Sequence, residues 1–272
     1  MSTLNSQYIT CLVDLNVVYH SKSEYIEKFN RLRETALKEL SQPINAKCLK
    51  RSEAYLNHAK QDYAELMLNE NIDRVRYFSG LLIRNVIHAI VNLNNTYLKL
   101  GKKGLSKEIL TMKYLPVNFE KLYIELLESK TVNEIKKVAG LFMTTIIQLH
   151  EEMNQKYNNK LPLTYNNLKG IYENCWCNYR GKIIDSSIKK DKLYALQTAI
   201  SAQSFLNKIG MTADCWTDYN LMQYFDCDNH TKFCNAFLQI MDRILQKYKE
   251  LGLTVEYYDS FENLYKVYMN KT

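Results

Sequence analysis

The stretch from Asn71 to Leu100 (NIDRVRYFSGLLIRNVIHAIVNLNNTYLKL) constrains the fold more than any other part of the chain. Phe78, Leu82, Val86, Ile90, Leu93, Tyr97 and Leu100 recur every three or four residues, the spacing of one face of an α-helix. Ile83, Ile87 and Val91 widen that face, so the stretch predicts a helix in the middle of a bundle. On the other side Arg84, His88, Asn92, Asn95 and Lys99 form a polar line at the same spacing. A mostly buried helix either satisfies such a ridge inside the fold or turns it toward a cleft. Composition agrees with long helices: 8 Gly and 3 Pro in 272 residues leave few breakers for a turn-rich β architecture.

One segment reads differently. In Tyr8–Tyr19 (YITCLVDLNVVY) the residues Ile9, Cys11, Val13, Leu15, Val17 and Tyr19 alternate with Thr10, Asp14 and Asn16, which predicts a strand. The other strand candidate is Leu253–Tyr258. Two strands make at most a marginal ribbon, so the expectation is that a larger sheet is missing or is supplied by another chain or copy. The fold expected is therefore mainly α, a helical bundle with one or two short β-strands near the termini.

Further helices are expected at Ser23–Leu40, about Lys47–Asn69, a short one from Ser106 after a break at Gly101 and Gly104, and Phe119–Glu128 capped by Asn118. Thr131 with Glu134 three residues on forms a capping box for a helix reaching Tyr157. A hinge with Pro162 separates residues 1–160 from 161–272, the second part expected to pack on the first as one unit. There the pattern predicts helices at about Tyr165–Lys189, Asp191–Ile209, Asp214–Phe225 and His230–Leu251, with a last amphipathic turn or two over Asp259–Tyr268.

The net charge of +7 is spread along helix faces, compatible with an anionic ligand but also with an ordinary solvated surface. No apolar run is long enough to span a membrane and no signal peptide is expected. Seven cysteines, an odd number in a chain this long, read as reduced thiols and a cytoplasmic location.

Two constellations are candidates for chemistry. Arg84 and His88 sit one helical turn apart and resemble the Arg–His pair of the helical ribonuclease superfamily called HEPN, whose pattern is R-x4-6-H. Here only Asn85, Val86 and Ile87 intervene, one residue short of that spacing. The second is Thr164–Lys182 (TYNNLKGIYENCWCNYRGK), where Tyr172, Trp176 and Tyr179 are expected on one face and Glu173, Cys177 and Arg180 on another, with Asn178 and Lys182 nearby. Aromatic planes beside Arg and Asn suit a flat polar ring. Cys175, Cys177, Cys227, His230 and Cys234 do not reproduce the paired spacing of a structural zinc site, and no metal site is expected. No phosphate-binding Gly-rich loop, zincin motif or nucleophile motif is present, nor a carboxylate pair on a strand to hold magnesium.

Taken in order, these features resemble the C-terminal half of bacterial nucleotidyltransferases of the kanamycin/minimal type, where a small catalytic sheet precedes an HEPN-like helical domain. The matching pieces are Cys11–Leu40 with the family's last strand and first helix, Leu93-Asn94-Asn95-Thr96-Tyr97 with Gly101-Lys102, and Pro116–Tyr123 with a P-x-x-F-E-x-L-Y pattern. Thr164–Lys182 resembles a T-Y-x-x-L-x-G-x-Y-E segment that ends in N-x-R-x-K. The family's catalytic Gly-Ser turn and D-x-D strand have no counterpart here.

The resemblance implies a substrate-binding helical domain that cannot transfer a nucleotide alone: a fragment, a degenerate member, or a subunit completed in trans. Substrate-binding residues would be Arg84, His88, Asn92, Asn95, Lys99, Tyr172, Glu173, Asn178, Arg180 and Lys182, with no catalytic residue and no metal ligand. Their ligand would be a small polar or nucleotide-like molecule. Magnesium and a nucleoside triphosphate would enter only with a catalytic domain, and the protein partner would be that domain or a second copy through Tyr8–Tyr19. RNA is the less favoured ligand, and an HEPN-like RNA-binding or RNA-cleaving protein or a strand-adding interaction protein are the alternative functions.

Overall fold

In a computed structural model, residues 6–157, 168–212, 219–255 and 258–271 are described. They are overwhelmingly helical, and among them no strand occurs. The chain divides into two compact units, Met1–Asn159 and Lys160–Thr272.

In the first unit α1 (Ser6–Val13), α2 (Ser23–Leu40), α3 (Ala46–Leu68), α4 (Ile72–Leu93), α5 (Gly101–Leu110), α6 (Phe119–Glu128) and α7 (Val132–Tyr157) follow one another. The segment expected as a strand is thus α1 followed by an irregular tail, and this corrects the reading of Tyr8–Tyr19. Only Ile9 of its alternating apolar set is buried, whereas Cys11, Leu15, Val17 and Tyr19 are exposed. Arg33 holds the end of α1, its Nε donating to the Leu12 carbonyl at 2.9 Å. Its guanidinium also donates to the Leu15 carbonyl of the tail, where Asp14 accepts from the Tyr97 hydroxyl at 3.0 Å. Gly101 and Gly104 lie inside α5 rather than breaking the chain there.

α4 is the centre of the unit's core. The Asn71 side chain caps it by accepting from the Asp73 N–H at 2.8 Å, and Asp73 adds a carboxylate to the first turn. Leu82, Val86, Ala89, Ile90, Val91 and Leu93 are fully buried. α3 pairs antiparallel with it, as the partners Asp62–Asn85, Tyr55–His88 and Arg51–Asn95 require. α7 closes over both α3 and α4, its Gly140 so near α3 that an added Cβ would come 3.3 Å from the Tyr63 hydroxyl. The capping box of α7 is formed: Glu134 accepts from the Thr131 N–H at 3.0 Å and its own N–H donates to the Thr131 hydroxyl at 3.3 Å. Asn118, by contrast, precedes α6 in a left-handed conformation (φ 56°) and makes no side-chain cap.

α4 ends seven residues earlier than the apolar periodicity predicts. The Thr96 N–H donates to the Val91 carbonyl at 3.1 Å and the Asn95 N–H to the Asn92 carbonyl at 3.0 Å, a Schellman turn closed by Asn95 at φ 47°. Asn is among the few residues that tolerate this conformation.

The second unit contains α8 (Ile171–Asn174), which passes through a π-helical turn (Cys175–Arg180) directly into α9 (Gly181–Lys189). α10 (Lys192–Thr212), a 3-10 turn (Leu221–Tyr224), α11 (His230–Glu250) and α12 (Phe261–Lys271) complete it. The helix expected at Asp214–Phe225 is a 3-10 turn in its described part, and residues 213–218 lie outside the described set. Leu253–Val255 is not a strand, and residues 256–257 are outside the described set.

Tyr248 organises this core. Its buried hydroxyl donates to the Leu168 carbonyl and accepts from the Ile171 and Tyr172 N–H groups at 3.0 and 3.2 Å, satisfying the open start of α8. Gly170 enters that helix at φ 84°, a conformation costly for any residue with a Cβ. The Gln203 side chain does the same for the 3-10 turn, accepting from the Leu221 and Met222 N–H groups and donating to the Tyr219 carbonyl at 2.8 Å.

Candidate binding surfaces

The polar ridge predicted on the central helix divides by role. Asn92 is buried and donates to the His88 carbonyl one turn back at 2.8 Å. Asn95 has left the helix, and its amide donates to the carbonyls of Glu39 and Gln42, each at 2.9 Å, while its oxygen accepts from Arg51 at 2.8 Å. That single side chain ties the end of α2 and its following loop to α3 and α4. Lys99 is exposed, with its ammonium 5.5 Å from the Tyr97 ring centre and its N–H on the Glu108 carboxylate at 2.6 Å.

Arg84 and His88 remain neighbours. Arg84 is exposed on α4; His88 is half-buried and stacks on Tyr55 with ring centres 5.1 Å apart. Burial, and then the adjacent Arg84 charge, hold the imidazole below its ordinary value of 6.5. Its Nδ1 is buried without a partner among the described residues, as is the Ser52 hydroxyl on α3. Asn85, between Arg84 and His88 in sequence, points to the other side and donates to Asp62 at 2.6 Å.

In the second unit the candidate residues gather on the π turn. Such turns are rare and concentrate at functional sites, because the wider turn displaces side chains from the α register. Tyr172 is buried, its ring 6.1 Å from Trp176 and 6.3 Å from Tyr248. Trp176 is 41% exposed, and the Arg180 guanidinium lies over it, 4.2 Å from the ring centre. Tyr179 turns inward against Phe205. The aromatic triad expected on one face therefore occupies three environments, and the ring presented to solvent is Trp176, not Tyr172.

Glu173, Asn178 and Lys182 are exposed on the same turn and its flanks, Asn178 donating to Asn174 at 3.0 Å. Residues 164–167 of the predicted segment lie outside the described set. Of the two cysteines here, Cys177 is exposed, whereas burial pushes the Cys175 thiol up to about 12, which makes it an inert packing group. Nothing in the sequence marks the π turn, since its residues suit an α-helix equally well. The clue to Trp176 was the aromatic spacing, which alone does not say which ring faces out.

Among the described residues, one set of thiol and acid groups comes close enough together to hold a metal ion. Asp226, Cys227 and Asp228 bring ligand atoms within 4.8 Å of one another, but all are exposed and Asp228 is engaged by Lys192. His230 and Cys234 both lie on α11, but Cys227 precedes that helix, so the three do not share one helix, and His230 faces the Ser186 carbonyl at 3.4 Å.

No known protein family matches the chain, nor does any curated protein or solved structure. No described helix is long and apolar enough to cross a membrane.

Proposed function

We propose that the protein is a helical substrate-binding module of a nucleotidyltransferase-like system, with its ligand surface at the π turn of the second unit. The observation that carries this reading is the exposed Trp176 ring held against Arg180, with Glu173, Asn178 and Lys182 around it. A flat heterocycle or sugar stacks on the indole, the Asn178 amide reads its polar edge, and Arg180 and Lys182 meet an anionic group. Such a surface orients a small polar or nucleotide-like molecule; it does not activate one. The chain transfers no nucleotide alone, and magnesium and a nucleoside triphosphate enter only with a catalytic partner in trans. A dimer through Tyr8–Tyr19 would have to be built on α1 and its exposed tail rather than on a strand.

Binding of adenosine monophosphate and of an aminoglycoside is tested by tryptophan fluorescence in a Trp216→Phe background, which leaves Trp176 as the reporter. Saturable quenching by at least one ligand, lost in Arg180→Ala, is expected. No quenching by either ligand at millimolar concentration sinks the proposal. A second reading, RNA cleavage, rests on Arg84 lying beside His88. Single-stranded RNA cut by the purified chain and spared by His88→Ala would put that reading first.

A further inference from the structure

A cluster in the first unit stands outside both readings. Lys113 and Tyr114 follow α5, while Lys156 and Tyr157 end α7. The two phenol oxygens lie 2.7 Å apart, with the rings edge to face at 80°. The Lys113 ammonium is 5.2 Å from the Tyr114 ring centre, and that of Lys156 is 5.8 Å from the same ring and 5.2 Å from Tyr157. Two cations thus bracket one hydrogen-bonded pair of phenols.

The phenols are held from behind. Both rings are half-buried against the main core of the unit. The Asn94 amide clamps the Tyr114 main chain from both sides, donating to its carbonyl and accepting from its N–H, each at 2.9 Å. The lysines are exposed, and no carboxylate of the described residues forms an ion pair with either. One phenol proton makes the bond between the rings, and no described residue accepts the other. Two unpaired like charges beside a free hydroxyl donor make a point of positive potential. The Tyr157 hydrogen bond, and to a lesser extent Lys113 and Lys156, hold the Tyr114 pKa below the usual 10.0.

We propose that Lys113, Tyr114, Lys156 and Tyr157 form a binding site for a phosphate dianion, free or carried on a small organic molecule. A carboxylate would answer one ammonium; phosphate brings nearly two charges and three strong acceptor oxygens, matching two ammonium groups and one hydroxyl. Lys156 also offsets the negative end of α7. That role alone would explain Lys156 but not Lys113, which belongs to no helix.

The experiment is tyrosine ζ-carbon NMR of the full chain at constant ionic strength, titrated with inorganic phosphate against chloride. Tyr114→Phe and Tyr157→Phe assign the two signals. Saturable movement of these signals by phosphate, and its loss in Lys113→Gln/Lys156→Gln, is expected. A parallel titration with adenosine monophosphate assigns the source: saturation at lower concentration than inorganic phosphate marks the ligand as a monoester. Signals unmoved by phosphate, moved equally by chloride, or moved equally in the double variant overturn the site. The single glutamine variants, each at an exposed position, keep the test decisive should the double variant melt early.

Discussion

The α3–α4 seam and the π turn both carry a row of polar residues at helical spacing, yet the fold uses them in opposite ways. Along the seam Asn85, Asn92 and Asn95 are buried, and each spends its amide on protein groups. On the π turn Glu173, Asn178 and Lys182 are exposed, and Arg180 rests on an exposed ring. A buried amide is kept because removing it strands its partners without water; an exposed one costs little to lose and is open to a ligand. The difference is one of environment, not residue type.

The largest effect should come from the seam's apolar side. Ile90 is fully buried among α3, α4 and α7, so Ile90→Ala is expected to cost about 2–5 kcal/mol in denaturant unfolding, from lost transfer energy plus the cavity left behind. An unchanged midpoint would show that α4 is not the centre of the core. Next comes Asn95→Ala, which strands the Glu39 and Gln42 carbonyls and an Arg51 donor, and forces Ala into φ 47°. About 2–4 kcal/mol is expected. Asn95→Gly separates the causes: it relieves the backbone but not the lost amide, so it should recover only part of the stability.

These two residues also mark what could be read beforehand. Ile90 was legible because burial of a wide apolar face follows directly from periodicity. Asn95 was legible as polar and in line, but not as a helix terminator. Its left-handed turn is chosen by partners on α2 and its loop, 56 and 53 residues away in sequence. α1 was misread for a related reason: a short alternating segment fits either period until one knows that only Ile9 meets the core. The π turn left no mark, since inserting one residue into a helical turn changes register and not composition. Arg84, His88 and the Thr164–Lys182 segment were identified as candidates from residue chemistry. Which of their side chains reach solvent depended on packing far along the chain.

A smaller effect should separate the two regions by pH. His150 is buried, accepting from Asn154 at 3.0 Å through Nδ1 and facing the Leu49 carbonyl at 3.4 Å through Nε2, an arrangement suited to the neutral ring. Burial outweighs the Leu49 and Glu53 contributions and holds its protonation below the ordinary 6.5, and His88 shifts the same way. With the folded value depressed, the unfolded chain binds protons first as pH falls. Stability should therefore be full above about 6.5 and decline as pH drops below it. Urea midpoints compared between pH 7.5 and 6.0 should fall in the wild type, and fall less in a His88→Gln/His150→Gln variant. An equal fall in both would remove the histidines from the account.

The smallest stability change is expected at the π turn, and it is the one that tests the contrast most directly. Asn178→Ala removes only an exposed bond to Asn174, so its effect should stay within about 0.5 kcal/mol. Arg180→Ala gives up a cation–π contact on a ring that is 41% exposed, worth about 0.5–1 kcal/mol at such a site. Arg180→Lys keeps the charge but not the flat guanidinium, so it should be nearly as stable as the wild type and bind ligand more weakly. If the surface serves a ligand, quenching of Trp176 is lost in Arg180→Ala and weakened in Arg180→Lys, while thermal melting barely moves. If Arg180→Ala instead lowers stability as much as Asn95→Ala does, the guanidinium is a structural brace. The π turn would then belong with the seam, and the ligand surface would have to be sought elsewhere.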